Sequence, residues 1–258
     1  MKSLARLLTL TAVAFCGVTA TAMAEETDIT IRVMSKDAKF IGSSMGGMQV
    51  TLSDVHTGET LARGVTRGGT GDTGLLMHDD GGRRHQMASE GAASFDTTLD
   101  LERARLVEAT VYGPLAQEQS AHTASATQWV IPGGHLSAGD GWIIELPGFV
   151  VDVLEPGAAG KYDSADTDSV PIQANVMMMC GCPIEPDGIW DANDYEVGMT
   201  VRRDGEVVAE QAMEYAGSAS QFEGSIPVDG PGVYEVTVHA YDPANGNTGV
   251  DRTTLSVQ

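Results

Sequence analysis

The chain has 258 residues, and its 36 acidic side chains against 15 basic ones give a formal net charge of −21. A surface this anionic repels nucleic acid and anionic lipid, so we expect neither as a partner. Glycine is abundant, at 31 residues, and aromatic residues make up only 5% of the chain. This composition, with its recurring valine, threonine and short polar turns, is typical of β-sandwiches rather than of helical proteins.

The first 24 residues have the three parts of a secretory signal peptide. Lys2 and Arg6 form a basic start, an apolar run follows, and Ala22–Ala24 provides an A-x-A cleavage site. The bulky Phe15 before Cys16 is unlike a lipoprotein signal, so we expect cleavage at the A-x-A site and loss of Cys16. No later segment has the roughly 18 consecutive apolar residues of a membrane-spanning helix. The sequence therefore predicts a periplasmic or secreted protein that does not itself span a membrane.

Alternating apolar and polar residues predict β-strands in two successive regions. Residues 25–154 are predicted to form a first antiparallel β-sandwich, and residues 170–258 a second one of immunoglobulin type. Between them, residues 155–169 contain Pro, Gly, Ala and acidic residues with almost no apolar side chain, which indicates an acidic linker. The predicted fold class is therefore all-β, with two consecutive antiparallel β-sandwich domains.

Two stretches resemble known families of β-sandwich. Residues 46–74, with a strand, a T-G turn, a return strand and a T-x-x-x-G break, resemble the front half of a carboxypeptidase regulatory-like or transthyretin-like sandwich. Residues 229–247 resemble the late strand of bacterial Ig-like domains, where a Gly-x-Tyr pair precedes an alternating strand. The second resemblance implies that Tyr234 is a tyrosine-corner residue hydrogen-bonded to the backbone. Both families mostly serve as binding, spacer or adhesion modules.

The stretch NVMMMCGCPIEP carries the densest chemistry of the chain. If it is extended, Met178, Cys180 and Cys182 share one face of a strand, and Met177 and Met179 share the other. A thioether and two thiols on one face suit a soft metal ion such as Cu(I). Methionines on the opposite face are predicted to fill a core, where methionine commonly packs irregular gaps.

A second interpretation of the two cysteines stays open. In an oxidising compartment a pair of cysteines usually becomes a disulfide. Neighbours on one face of a strand lie farther apart than the Cβ separation of roughly 3.5–4.5 Å that a disulfide needs. A bond between Cys180 and Cys182 would therefore require a turn at Gly181. Free thiols, or a bond to a partner chain, are the third possibility.

These features predict an exported, non-catalytic binding protein. It would hold Cu(I) at Met178, Cys180 and Cys182, for delivery to another exported or membrane-bound protein. The alternative is a structural or protein-interaction module of an exported complex, with a C-x-C disulfide corner. We expect no enzymatic activity: Ser44 in GSSMG matches the G-x-S-x-G nucleophile pattern, but that pattern needs a following helix and a strand is predicted there.

Overall fold

The computed structural model of the chain describes residues 23–79 and 81–258. The predicted signal peptide, with Cys16, lies outside the described residues except for its last two positions. About 54% of the structure is strand and about 6% is helix, which confirms the all-β prediction. None of the described helices is both long enough and apolar enough to cross a membrane.

Seven strands form the first sandwich: β1 (Glu25–Ser35), β2 (Gln49–Asp54), β3 (Thr60–Val65), β4 (Phe95–Leu101), β5 (Arg105–Gly113), β6 (His122–Val130) and β7 (Trp142–Leu146). They lie in two sheets, with strand orders β4-β1-β7 and β3-β2-β5-β6. Ile29, Ile31 and Val33 of β1 point inward and are at most 1% exposed, while Asp28, directly before them, faces out. This alternation fills the space between the sheets, and each such aliphatic side chain contributes about 1.5–3 kcal/mol by leaving water.

Nine strands form the second sandwich: β8 (Phe149–Glu155), β9 (Gly160–Tyr162), β10 (Ser169–Met178), β11 (Glu196–Arg203), β12 (Glu206–Ala212), β13 (Glu214–Tyr215), β14 (Gln221–Pro227), β15 (Gly232–Tyr241) and β16 (Thr248–Val257). The two sheets have strand orders β13-β14-β10-β8 and β12-β11-β15-β16-β9. The inward residues of β15, from Tyr234 to Ala240 at every second position, are at most 1% exposed. These residues belong to a buried cluster that is distinct from the core of the first sandwich.

The boundary between the sandwiches differs from the predicted one. Residues 149–154 are predicted in the first sandwich, yet β8 pairs antiparallel with β10 in the second. The predicted linker 155–169 is also anchored, because its strand β9 pairs with the end of β16. The run Phe149–Val151 is buried at every position, so it needs cover on both of its faces and finds it between the two cores. The chain passes from one sandwich to the other at the turn 147–148.

Two strand pairs are parallel, whereas the sequence predicts antiparallel sandwiches. β1 pairs in parallel with β7, and β16 pairs in parallel with β9; every other pairing between the described strands is antiparallel. Parallel neighbours are joined by long connections rather than by hairpins. Alternation along a single strand reports which face is buried, and it contains no information about the direction of the neighbour. That is why the sequence missed these two pairs.

Within residues 23–79 and 81–258, helical structure is confined to short connections: α1 (Thr73–Met77) and three single 3-10 turns at Ser43–Met45, Glu118–Ser120 and Ala192–Asp194. Helix α1 follows Asp72, whose carboxylate accepts a hydrogen bond of 2.8 Å from the backbone N–H of Leu75. Ser44 lies in the first of the 3-10 turns, and β2 follows it. It is therefore not placed at a strand-to-helix elbow.

Tyr234 has the hydrogen bonds that the Ig-like resemblance implies. Its hydroxyl donates to the backbone oxygen of Gly230 at 2.9 Å and accepts from the backbone N–H of Asp229 at 3.1 Å. The side chain is fully buried in the second core. The hydroxyl thus ties the turn before β15 to the interior of the sandwich.

We expect Tyr234→Phe to lower the free energy of unfolding by about 1–2 kcal/mol, because it removes one hydroxyl that serves two backbone groups and leaves the ring in place. Urea denaturation of the variant and the wild type measures the change. Tyr112→Phe, at a tyrosine that is 41% exposed, is the matched control and is expected to be near neutral. Equal stability of Tyr234→Phe and wild type would contradict the role given to the hydroxyl.

Candidate functional site at the junction of the two sandwiches

The end of β10 turns back on itself at CGCP. The backbone N–H of Gly181 donates to the oxygen of Met178 at 2.8 Å, and the N–H of Met178 donates to the oxygen of Cys182 at 3.1 Å. Met177 then bridges to Pro183 on the returning chain. Because proline has no N–H to extend the ladder, the pairing ends there. The segment is therefore a tight reversal, and the extended conformation stops at Met178.

This reversal brings the two cysteines together. The Sγ atoms of Cys180 and Cys182 lie at disulfide-bonding distance, and their Cα atoms are 5.4 Å apart, within the usual range for a disulfide. Gly181, between them, has a φ of +77°, the left-handed conformation that glycine adopts without a steric penalty. The turn at Gly181 that a C-x-C disulfide requires is thus present.

The sulfur-bearing side chains divide between the two cores as the predicted alternation requires. Met178, Cys180 and Cys182 belong to the second core and are 0%, 1% and 6% exposed. Met179 belongs to the first core and is fully buried, and Met177 packs against that core from a partly exposed position. The predicted core packing of Met177 and Met179 is confirmed. Both side chains pack in the core of the first sandwich, although β10, at whose end they lie, belongs to the second.

The first sandwich also reaches toward the turn. A Cβ added to Gly181 would lie 2.5 Å from the Sδ of Met45, so the glycine backbone sits directly against that side chain. Met45 is 5% exposed and is part of the first core. The reverse contact exists as well, since Ala38, from the loop after β1, belongs to the second core. Each sandwich therefore completes part of the interior of the other.

A polar clamp holds the end of β1 to the second sandwich. The Lys36 ammonium donates to the backbone oxygen of Asn245 at 2.7 Å, and the Asn245 amide donates to the Asp37 carboxylate at 3.3 Å. The Asn247 amide donates to the Lys36 oxygen at 3.3 Å and accepts from the N–H of Gly148 at 3.0 Å. One loop, 242–247, thus fixes both the end of β1 and the turn where the chain changes sandwich.

Aromatic side chains of the second sandwich close the same junction. The indole N–H of Trp190 donates to the backbone oxygen of Asp37 at 3.0 Å. Phe149 and Tyr195 meet edge to face, with ring centroids 5.2 Å apart. Such pairs contribute roughly 0.5–1.5 kcal/mol beyond their buried area. The junction is therefore a packed interface with directional hydrogen bonds.

Burial and, after it, nearby carboxylates raise the pKa of two groups at the junction. Burial, and then the charge of Asp242, raise the pKa of Asp37, while the Asn245 hydrogen bond and Lys36 oppose the shift. Burial, followed by the same Asp242 and by Asp37, raises the pKa of Tyr195. The Tyr195 phenol is therefore held firmly in its neutral form.

The structure brings together all three predicted site residues, on one face and in one core. In the described residues, no group of three or more His, Cys, Asp and Glu side chains is placed to hold a metal ion. The sulfur set could bind a soft ion only after reduction, because a disulfide sulfur is not a thiolate ligand. With the two Sγ atoms at bonding distance, the site is a closed turn that packs against both cores.

Sequence reasoning missed the residues that clamp the junction. Trp190, Asn245 and Asn247 lie in loops. The partners of Trp190 and Asn247 are between 99 and 211 positions away along the chain. The available signal was the NGN turn after β15, which is polar although it directly follows a buried strand. Asparagine in such a turn bonds to backbone groups, and here the Asn247 amide bonds to Lys36 of the first sandwich and to Gly148 of the connection.

Comparison with solved structures finds only distant similarities. The fibronectin(III)-like modules of Clostridium thermocellum CbhA match at 14% identity over 93% of this chain and 92% of theirs, with a TM-score of 0.28. Drosophila N-cadherin EC1-3 matches at 11% identity over 92% of this chain and 68% of its own, with a TM-score of 0.28. An engineered protein matches at 18% identity over 47% of this chain, which corresponds to 22% of that protein, with a TM-score of 0.32.

No family model matches the sequence. No curated protein matches it either. The assignment of the fold class therefore depends on the strand pairing described above.

We expect Gly181→Ala to destabilise the protein by about 2–5 kcal/mol. Left-handed backbone costs an alanine roughly 1–2 kcal/mol, and the clash with Met45 adds an overpacking cost of about 1–3 kcal/mol. Gly58→Ala is the matched control, since Gly58 has a φ of +73° and no atom within 4 Å of the added Cβ. Urea denaturation measures the free energy of unfolding of both variants. Gly58→Ala reports the cost of the left-handed backbone alone, and the additional loss in Gly181→Ala reports the clash with Met45. Equal destabilisation by the two changes would show that the turn does not press against the first sandwich.

Proposed function

We propose that this chain is an exported, non-catalytic protein-interaction module. In this proposal the disulfide corner Cys180–Cys182 fixes the two sandwiches relative to each other, and the pair docks as one body onto another exported or membrane-bound protein. The observation that carries the proposal is the position of the corner. It lies in a turn whose neighbouring methionines are buried in the cores of both sandwiches.

The proposed location follows from the leader and from the cysteine pair. Strand β1 begins at Glu25, directly after the predicted cleavage site, so removal of the leader would leave the first sandwich whole. A buried cysteine pair at bonding distance is stable in oxidising compartments and is rare in reducing ones. Both features support export to the periplasm or to the exterior.

The proposed interaction role follows from the rigidity of the junction. Two domains on a free hinge lose orientational freedom when both engage a partner, and this loss weakens binding. A junction that is packed and hydrogen-bonded around a turn closed by a disulfide has lost that freedom before binding. The resemblance of residues 46–74 and 229–247 to modules that bind, space or adhere supports the same role.

The test compares the wild type with the double variant Cys180→Ser/Cys182→Ser. Wild-type protein exported and purified without reductant should show no reactive thiol after denaturation. The double variant should lose about 1–2 kcal/mol of stability, because the cross-link no longer restricts the unfolded chain. Used as baits on envelope extract, the wild type should retain a partner that the double variant releases.

Two outcomes would contradict this proposal. Two reactive thiols in the exported protein would show that no corner forms. Equal retention of the same partner by wild type and double variant would show that the corner does not prepare the binding surface.

Binding of Cu(I) in the reduced state is a second candidate function. The specific observation in its favour is that Met178, Cys180 and Cys182 share one face and one core. After reduction they would offer one thioether and two thiolates, which are the ligands that select a soft monovalent ion. Delivery of the ion to an exported partner would then be the function of the site.

We expect the reduced protein to take up about one Cu(I) if this second function holds. Cys180→Ser and Cys182→Ser should each abolish tight uptake, whereas Met178→Leu should weaken it at little cost in stability. Met177→Leu is the matched control, since its side chain faces the other sandwich. Competition with a chelator of known Cu(I) affinity measures uptake. Affinity equal to that of the double serine variant would exclude copper binding.

A further inference from the structure

Strand β6 is an unusual sheet edge in this protein. The four sheets have two edge strands each, and of these described edges β6 is the longest, at nine residues. It is also the only one whose sequence, HTASATQWV, contains no Asp, Glu, Lys or Arg. Proteins normally protect an edge with charge, with proline or with shortness, because an open edge pairs with other strands. In a chain of net charge −21, an uncharged edge of this length requires an explanation.

The outward residues of β6 itself are uncharged and rich in hydroxyl groups, and an exposed aromatic side chain lies at each end of this face. Thr123, Ser125, Thr127 and Trp129 of β6 all point outward and are exposed. Trp129 is 59% exposed. Tyr112, opposite Thr123 on the neighbouring strand β5, is 41% exposed. Large aromatic side chains left this open mark a surface that another molecule covers.

We propose that β6 is the dimerisation edge of this protein, where it pairs antiparallel with β6 of a second copy. Two such edges form a two-fold symmetric contact in which the same surface serves both chains. The sheet β3-β2-β5-β6 then continues without a break through the second copy, as an eight-stranded sheet. The backbone groups at the edge of β6 gain partners that no other described strand supplies.

Charge favours a second copy as the occupant. Two chains that each carry a net charge of −21 repel one another over most of their surfaces. They approach most easily where the contacting strand itself carries no carboxylate, and β6 provides nine successive positions of that kind. The carboxylate beside it, Glu108, lies one strand further in, opposite Thr127. Screening by salt should therefore strengthen the contact.

The sequence of β6 is compatible with itself in the antiparallel register that pairs all nine residues. Ala126 then lies on the two-fold axis, and Ser125 lies opposite Thr127 of the second copy. Hydroxyl pairs of this kind are favourable cross-strand neighbours. Trp129 of the second copy lies opposite Thr123, about 10 Å from Tyr112 two strands away. Its indole can then lean across the threonine toward the tyrosine ring, which covers both exposed aromatics.

This inference goes beyond the proposed function and uses none of the residues of the junction. Sedimentation velocity on the mature protein, at rising concentration and rising NaCl, is the first test. We expect a species of about twice the monomer mass, with a dissociation constant that falls as salt increases. A monomer under every condition would overturn the proposal, and an edge that binds only a strand of another protein would give that result.

A pair of charge variants tests which edge is used. Ser125→Lys places two like charges roughly 7–8 Å apart across the axis and should raise the dissociation constant at least about tenfold. Thr60→Lys adds the same charge on β3, at the opposite edge of the same sheet, and should leave the dimer intact. The reverse result would assign the contact to a different surface.

A pair of cysteine variants tests the register. Ala126→Cys brings its own copy to a Cβ separation of roughly 4.5–5.5 Å and should form a covalent dimer on a non-reducing gel. Ala124→Cys faces Gln128 of the second copy in this register and should stay monomeric on the same gel. Both alanines are partly buried on the same face of β6, so their accessibility is matched. Equal cross-linking at both positions would contradict the register.

Discussion

The structure depends on one stretch of backbone that belongs to two cores at once. From Met177 to Cys182 the side chains alternate between the first sandwich and the second, and in β8 the neighbouring Val150 and Val151 divide in the same way. A strand pair with both faces buried cannot lie on the outside of either sandwich, because one apolar face would then remain in water. The two sandwiches must therefore stay in contact for either interior to be complete.

Because the two sandwiches share these buried strands, the contacts that fix their orientation are polar and lie at a few points around the strands. The buried methionines supply attraction without direction, and methionine adapts its shape to the gap it fills. Orientation has to come from groups with fixed geometry. The Trp190 indole, the amides of Asn245 and Asn247 and the turn at Gly181 supply it at four separate points around the shared strands. Packing holds the sandwiches together, and these contacts select one arrangement.

Local alternation predicted the strands and the opposite faces of Met177 and Met178, and the Ig-like resemblance implied the hydrogen bonds of Tyr234. It failed at the domain boundary, because residues 155–169 have the composition of a linker while the true change of sandwich occupies the two residues 147–148. A two-residue connection is too short to have a distinctive composition. A strand buried on both faces is a continuous apolar run, and such a run does not indicate which of the two domains it belongs to. The clamp was missed for a related reason, since its partners are far apart along the chain.

The chemistry of CGC follows from where the turn lies. A chain reversal that enters a packed junction needs a residue without a side chain at its tip, because Met45 occupies the space where a Cβ would be. The residues on either side of Gly181 then point the same way into the second core, at a Cα separation that suits a disulfide. The same convergence would place two thiolates beside Met178 if the bond were reduced. The two proposed functions, disulfide corner and soft-metal site, therefore correspond to two oxidation states of one geometry, and the redox potential of the compartment would decide between them.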